Sequence, residues 1–249
     1  MQLASHSVRR HRILVGACLS TFLTWALASG TAQAKPGKKA ATKVSPAQAE
    51  GQEGAGAEPA SPAPSLPPPG TSPMADLKKS NAALKKLFQK SAPSWSPEQD
   101  AKRSEMRKIV SGFLDFEELA HRALARHWDG ITPKQRTEFV GVLRDLIERN
   151  YIKQVHGQPN YDLRFRKEAI TDGEATVNAT LDSSADGKKV TVEMEYKLLF
   201  KGGKWLVYDV VTDEQSMLEN YRAEFNKIIT KESFDALLKR MKKRLEKAE

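Results

Sequence analysis

Cysteine is almost absent: Cys18 is alone in 249 residues, and it falls in a segment built like a secretory signal. Acids are absent from the first 34 residues, where Arg9, Arg10 and Arg12 supply a positive start. An apolar stretch from Ile13 to Gly30 follows, and Ala32-Gln33-Ala34 gives a small-x-small cleavage signature. A long hydrophobic run is also lacking. Ser20, Thr21, Thr24, Ser29 and Gly30 dilute the stretch below the about 20 apolar residues that spanning needs. Cleavage after Ala34 is therefore expected, with a product exported from the cytoplasm. Val15-Gly16-Ala17-Cys18 has too few apolar residues before it for a lipoprotein box. Arg9-Arg10 resembles a twin-arginine signal, but Arg12 stands where that motif prefers an apolar residue. Losing Cys18 leaves no disulfide, thiolate nucleophile or cysteine metal ligand, so packing alone must hold the mature domain.

Aromatic residues are missing from 35–73, a stretch with nine of the 13 prolines and five of the 15 glycines. Such a segment buries too little apolar surface to offset its ordering entropy and reads as a disordered tether. As a flexible coil it would span roughly 35 Å. The domains are then a signal over 1–34, a tether over 35–73 and one folded domain over 74–249. The signal removes three bases and no acid, leaving 37 bases against 31 acids in the mature chain. That basic excess suits anionic surfaces such as phospholipid headgroups; nucleic acid is the other usual reading of basicity, and export argues against it.

The folded part reads as helices, an antiparallel four-strand meander, then helices, an α+β pattern with a single sheet. Helical periods run over Asp76–Lys90, Pro97–Val110 and Asp115–Arg126. Thr132-Pro133-Lys134-Gln135 joins an N-cap threonine, a proline at the first helical position and a glutamine three residues on. Phe139, Leu143, Leu146, Ile147 and Tyr151 then mark one face of a long helix. From Tyr161 the period becomes two, through Leu163 and Phe165, then Ala175, Val177, Ala179 and Leu181. Val190, Val192, Met194, Tyr196, Leu198 and Phe200 make an unbroken apolar row on the third strand. Gly202-Gly203 signals a hairpin into Trp205–Val211. Ser216-Met217-Leu218-Glu219 is a second capping box, and the final helix sets Phe234, Leu237, Leu238, Met241 and Leu245 against a dense Lys/Arg face. No surplus amphipathic face calls for a second copy, so a monomer is expected.

Catalytic and metal groupings are scarce. His121 and His127 are about 240° apart around a helix and share no ligand face; with the solitary His156 they read as surface or packing residues. No metal or other cofactor is expected, since no zinc-protease helix, P-loop, nucleophile elbow or GxGxxG occurs. Asp209 is the exception, a carboxylate expected on the strand face of Trp205, Val207 and Val211. It has two readings: a tuned general base, or one half of a structural pair with Arg222. The apolar row likewise is either plain core or the wall of a lipid cavity.

The stretch from Asp209-Val210 through Ser216-Met217-Leu218-Glu219-Asn220-Tyr221-Arg222-Ala223-Glu224-Phe225 closely resembles a segment of MlaC-type proteins, the toluene-tolerance auxiliary family of phospholipid transport. Thr132-Pro133-Lys134-Gln135-Arg136-Thr137-Glu138-Phe139 with Leu146 and Tyr151, the Phe116–Trp128 segment and the Trp205–Asp209 strand are similar to further family segments. The resemblance covers roughly residues 76 to 246. One departure is local: the family usually has Gly-Val or a similar pair before the serine, where this chain has Glu214-Gln215. The proline-rich tether is not a family feature either.

The resemblance implies a non-enzymatic carrier that moves phospholipid through the periplasm, serving outer-membrane lipid asymmetry. It implies a twisted sheet wrapped by helices, related to the nuclear-transport-factor-two-like cone, with acyl chains between sheet and helices. Its partners would be phospholipid, an inner-membrane ABC transporter with an MCE-domain subunit, and an outer-membrane lipoprotein–porin complex. Periodicity and motif position then nominate a cavity wall: Phe139, Leu143, Leu146, Tyr151, Val177, Val192, Met194, Tyr196, Leu198, Met217, Tyr221 and Phe225. Two other readings stand beside the carrier: a cone-fold isomerase or dehydratase using Asp209, and a module docking on membrane or partner through its basic last helix.

Overall fold

A computed structural model describes residues 64–89, 97–157, 161–185 and 188–247. The signal and the tether up to residue 63 lie outside the described residues. Three helices open the domain, α1 (Pro73–Gln89), α2 (Pro97–Phe113) and α3 (Phe116–Leu124), and a 3-10 turn (Ala125–His127) leads towards the long α4 (Pro133–Gly157). Strands β1 (Tyr161–Thr171), β2 (Glu174–Ala185), β3 (Lys188–Lys201), β4 (Lys204–Thr212) and β5 (Gln215–Ser216) follow, then α5 (Met217–Lys231) and α6 (Phe234–Lys247).

The helix starts are set locally. Thr132 Oγ1 accepts from the Gln135 amide at 3.3 Å, and the Gln135 side chain accepts from the Thr132 amide at 3.0 Å. This reciprocal box satisfies two amides that the first turn leaves without carbonyl partners. Asp115 caps α3 through the Glu118 amide, and Ser216 caps α5 through the Glu219 amide. The cap of α1 is partly borrowed: Glu168, on β1, accepts from the Met74 amide at 2.8 Å and from the Ser72 hydroxyl.

The sheet is antiparallel in the order β1-β2-β3-β4-β5. Four strands are expected from the alternation and five are found. The fifth has two residues, placed beside Val211 and Thr212 by a reversal at Asp213 and Glu214. Two residues are too few to show a period. Asp172-Gly173 and Gly202-Gly203 turn two hairpins with positive φ at every position, the geometry that matches the twist of paired strands. Residues 64–72, which the sequence reading gives to the tether, lie against the sheet end. The Ser65 amide donates to Phe200 O at 2.9 Å, and Pro64 bridges Lys201.

Two apolar clusters form the core. The first is helical, with the rings of Phe139 and Phe225 edge to face at 5.4 Å and Tyr221 stacked on Phe225 at 5.3 Å. Leu199 and Tyr208 are its sheet members. The second covers one face of the sheet, with Val177, Val192, Met194, Leu198, Phe200, Trp205, Val207 and Val210 under Leu77 of α1. Phe113 and Leu114 at the end of α2 pack against both clusters and join them.

Candidate functional site

The apolar face of the sheet changes along its length. Near the Gly173 and Gly202 turns it is closed by α1 and the end of α2, and Leu198, Phe200, Trp205 and Val207 are buried. Towards the start of β1 it opens. Leu163, Phe165, Leu181, Val190 and Tyr196 belong to the same cluster but are only half-buried. Register explains their grouping: Leu163 faces Leu181, Leu181 faces Val192, and Phe165 faces Ala179. Side chains directly opposite in an antiparallel pair stand on one face, so these residues form one continuous apolar strip.

The rim of this open half is polar. The Tyr161 hydroxyl donates to Asn81 Oδ1 of α1 at 3.1 Å, and the Lys85 ammonium stands 5.3 Å from the centre of the Tyr161 ring and 3.8 Å from Asp162. Asp182, on the reverse face of β2, is bound by Arg164 and Lys189. Within the strip, the Tyr196 hydroxyl donates to Met194 Sδ at 3.8 Å. Burial holds this phenol protonated well above the ordinary range, so it offers a neutral donor in apolar surroundings. Hydrocarbon can lie on such a strip, while polar headgroup atoms would meet the rim.

The reverse face of the sheet is different in kind. A groove of about 550 Å³ there is lined by the charged Arg166, Glu193, Glu195 and Glu214 and the polar Asn178 and Thr180, with Ala179, Met194 and Val211 between them. Desolvating these charges against an alkyl chain would be strongly unfavourable.

The expected cavity wall is divided by the structure. Val177, Val192, Met194, Tyr196 and Leu198 stand together on the sheet face. Phe139, Leu143, Leu146, Met217, Tyr221 and Phe225 stand in the helical cluster, packed on one another. Tyr151 and His156 lie in the last turns of α4, outside the described side chains. Leu163, Phe165, Leu181 and Val190 complete the strip; the period of two marks them, but they stand outside the nominated cavity wall. Phe113, Leu114 and Leu77 carry no such signal, because a helix register does not tell which sheet face it meets.

Asp209 and Arg222, expected as a pair, take separate partners. A register shift between Lys197 and Leu198 places one extra residue on β4. The alternation of β4 therefore changes phase: Val210, not Asp209 or Val211, joins the face of Trp205 and Val207. Asp209 is fully buried on the other side. It binds Lys197 Nζ at 3.3 Å, the Ser216 hydroxyl at 2.7 Å and the Leu218 amide at 2.9 Å, holding the start of α5. A carboxylate so bound serves as a cap for α5. Arg222 instead donates to Arg122 O at 3.0 Å and pairs with Glu219, tying α5 to α3. His121 lies edge-on to Trp128, and His127 contacts Asn226. Among the described residues no group of three or more His, Cys, Asp or Glu could hold a metal ion, and no helix is long and apolar enough to cross a membrane.

Comparison with known proteins agrees with this architecture. A phospholipid-binding protein from Ralstonia solanacearum, solved in complex with a phospholipid, superposes with a TM-score of 0.60 at 18% identity, over 72% of this chain and 99% of that one. At that identity the likeness is one of fold. The intermembrane phospholipid transport system binding protein MlaC of Haemophilus influenzae is 23% identical over 141 residues, which span 56% of this chain and 66% of that relative. The profile described as MlaC protein matches residues 78–243, two thirds of the sequence, and the chain belongs to the MlaC family.

Proposed function

We propose that this protein is a phospholipid-binding transport protein that holds acyl chains on the half-open apolar face of its sheet and carries them through the periplasm. The observation that carries the reading is the continuous strip from buried Val177 and Met194 to half-buried Leu163, Leu181 and Val190. Family membership and the relatives' phospholipid binding support it. So does the energetic requirement. Two acyl chains hold about 30 methylenes at about 0.8 kcal/mol each, so ~25 kcal/mol must be roughly matched for lipid to leave a membrane. Only extended apolar surface can do this. Tight matching also means that release needs a partner that opens the site. An inner-membrane ABC transporter with an MCE-domain subunit and an outer-membrane lipoprotein–porin complex fill the two ends of that route in this proposal. The cone-like wrap of sheet by helices, delivery by a signal cleaved after Ala34, and a non-enzymatic role belong to the same reading.

The test is direct. Protein purified from the periplasm is extracted with organic solvent, and the extract is analysed by mass spectrometry. Near-stoichiometric phospholipid is expected. A protein that is lipid-free as isolated, and that takes none up from vesicles, would overturn the proposal.

A further inference from the structure

The last helix carries the densest charge of the described residues. Between Phe234 and Lys247 stand six bases and two acids. Some of that charge is engaged: Arg240 pairs with Glu232, Lys242 with Glu138, and Arg244 faces Glu224. Lys239 and Lys243 form no ion pair among the described residues and are exposed, as is Lys231 at the end of the adjoining α5. Lys239 and Lys243 lie four apart and so share a face of α6 with exposed Asp235, four residues before, and Glu246, three after, so the excess of base belongs to the helix as a whole, six bases against two acids.

We propose that this face docks the protein on a bilayer containing anionic phospholipid. The composition of the face favours a membrane over a protein partner. Protein interfaces are built around aromatic, Arg and apolar anchors and are depleted in Lys, and this face offers long, flexible lysines. The large apolar side chains most exposed among the described residues, Leu66 and Ile170, lie elsewhere, beside the Asp172-Gly173 turn. A surface of anionic headgroups needs no stereospecific anchor. Each lysine near it strengthens partition about fivefold. The orientation is also useful. Gln135 meets Asp235, Glu138 meets Lys242 and Arg149 meets Leu245, so α6 runs parallel to α4. Its lysine-rich end lies towards the hand-over from α4 to β1, the end at which the apolar strip opens. Docking through α6 brings that end towards the membrane.

The experiment sediments the mature full chain with vesicles of phosphatidylcholine alone and of phosphatidylcholine mixed with phosphatidylglycerol. Wild type is expected to sediment with the mixed vesicles only, and to be released by salt. K231Q/K239Q/K243Q is expected to lose about a hundredfold in partition at low ionic strength, and K231R/K239R/K243R to retain it, which separates lost charge from lost fold. A glutamine variant that sediments like wild type would overturn the proposal. So would equal sedimentation with both vesicle types, or binding confined to protein-bearing envelope fragments. Lipid extraction is read separately from the supernatant: its failure with sedimentation intact would count against the carrier reading and not against this one.

Discussion

Asp209 is fully buried on β4, its carboxylate held by an ammonium, a hydroxyl and a backbone amide. A carboxylate in an apolar strand stands out, but the extra residue on β4 that turns it away from Trp205 and Val207 has no sequence mark. Its partners are Lys197 on β3, Ser216 on β5 and Leu218 in the first turn of α5. Asp209→Asn removes a buried charge from that set and leaves Lys197 without its carboxylate. A loss of about 2–3 kcal/mol is expected, read as a lower urea midpoint with bound phospholipid per folded protein unchanged. Glu224 supplies a second test. Burial raises its carboxyl from 4.5 to about 7, and Arg244 and Lys227 only partly offset this. The folded state thus holds the proton more tightly than the unfolded chain. The stabilising contribution is complete below about pH 4.5, declines as pH rises to about 7, and is absent above that. Glu224→Gln mimics the protonated form at every pH. It should match wild type in acid and exceed it above about pH 8 by on the order of 1–2 kcal/mol, allowing for partial exposure, as measured by denaturation across pH.

Elements that rest on short-range rules were legible. The capping box at Thr132 and Gln135 and the cap at Ser216 act within one helical turn, and the Gly202-Gly203 hairpin needs only two residues with positive φ. The turn before α5 is the informative exception. Glu214 sits at φ 66 and Asp213 at φ 46, in the left-handed region that disfavours residues with a Cβ. The family resemblance places a glycine where this chain has Glu214, and the backbone supplies the physical reason. Glu214→Gly relieves that strain but adds freedom to the unfolded chain. A net gain of about 0.5–1 kcal/mol is expected, seen as a raised thermal midpoint.

At the scale of the molecule, the division of the apolar residues matters most for function. Phe139, Leu143 and Phe225 are fully buried among helices, whereas Leu163, Leu181 and Val190 are half-buried on the sheet. The proposed site therefore depends on the second group. Leu163→Ser with Leu181→Ser should lower phospholipid recovered per protein severalfold, while the delipidated variant melts close to delipidated wild type, since both side chains are already partly in water. Unchanged lipid content would place the acyl chains elsewhere. The sequence by itself determined the order of the elements, the capping boxes at Thr132 and Ser216, the Gly202-Gly203 hairpin, the apolar row of β3 and the likeness to the family, because each rests on neighbours a few residues apart. Only the tertiary structure decided the phase of β4 after its extra residue, the partners of Asp209 and Arg222, the fifth strand, and which apolar side chains stay half-open. Those depend on contacts between residues far apart in the chain, such as Arg222 with Arg122 and Glu168 with Met74, and no local period encodes them.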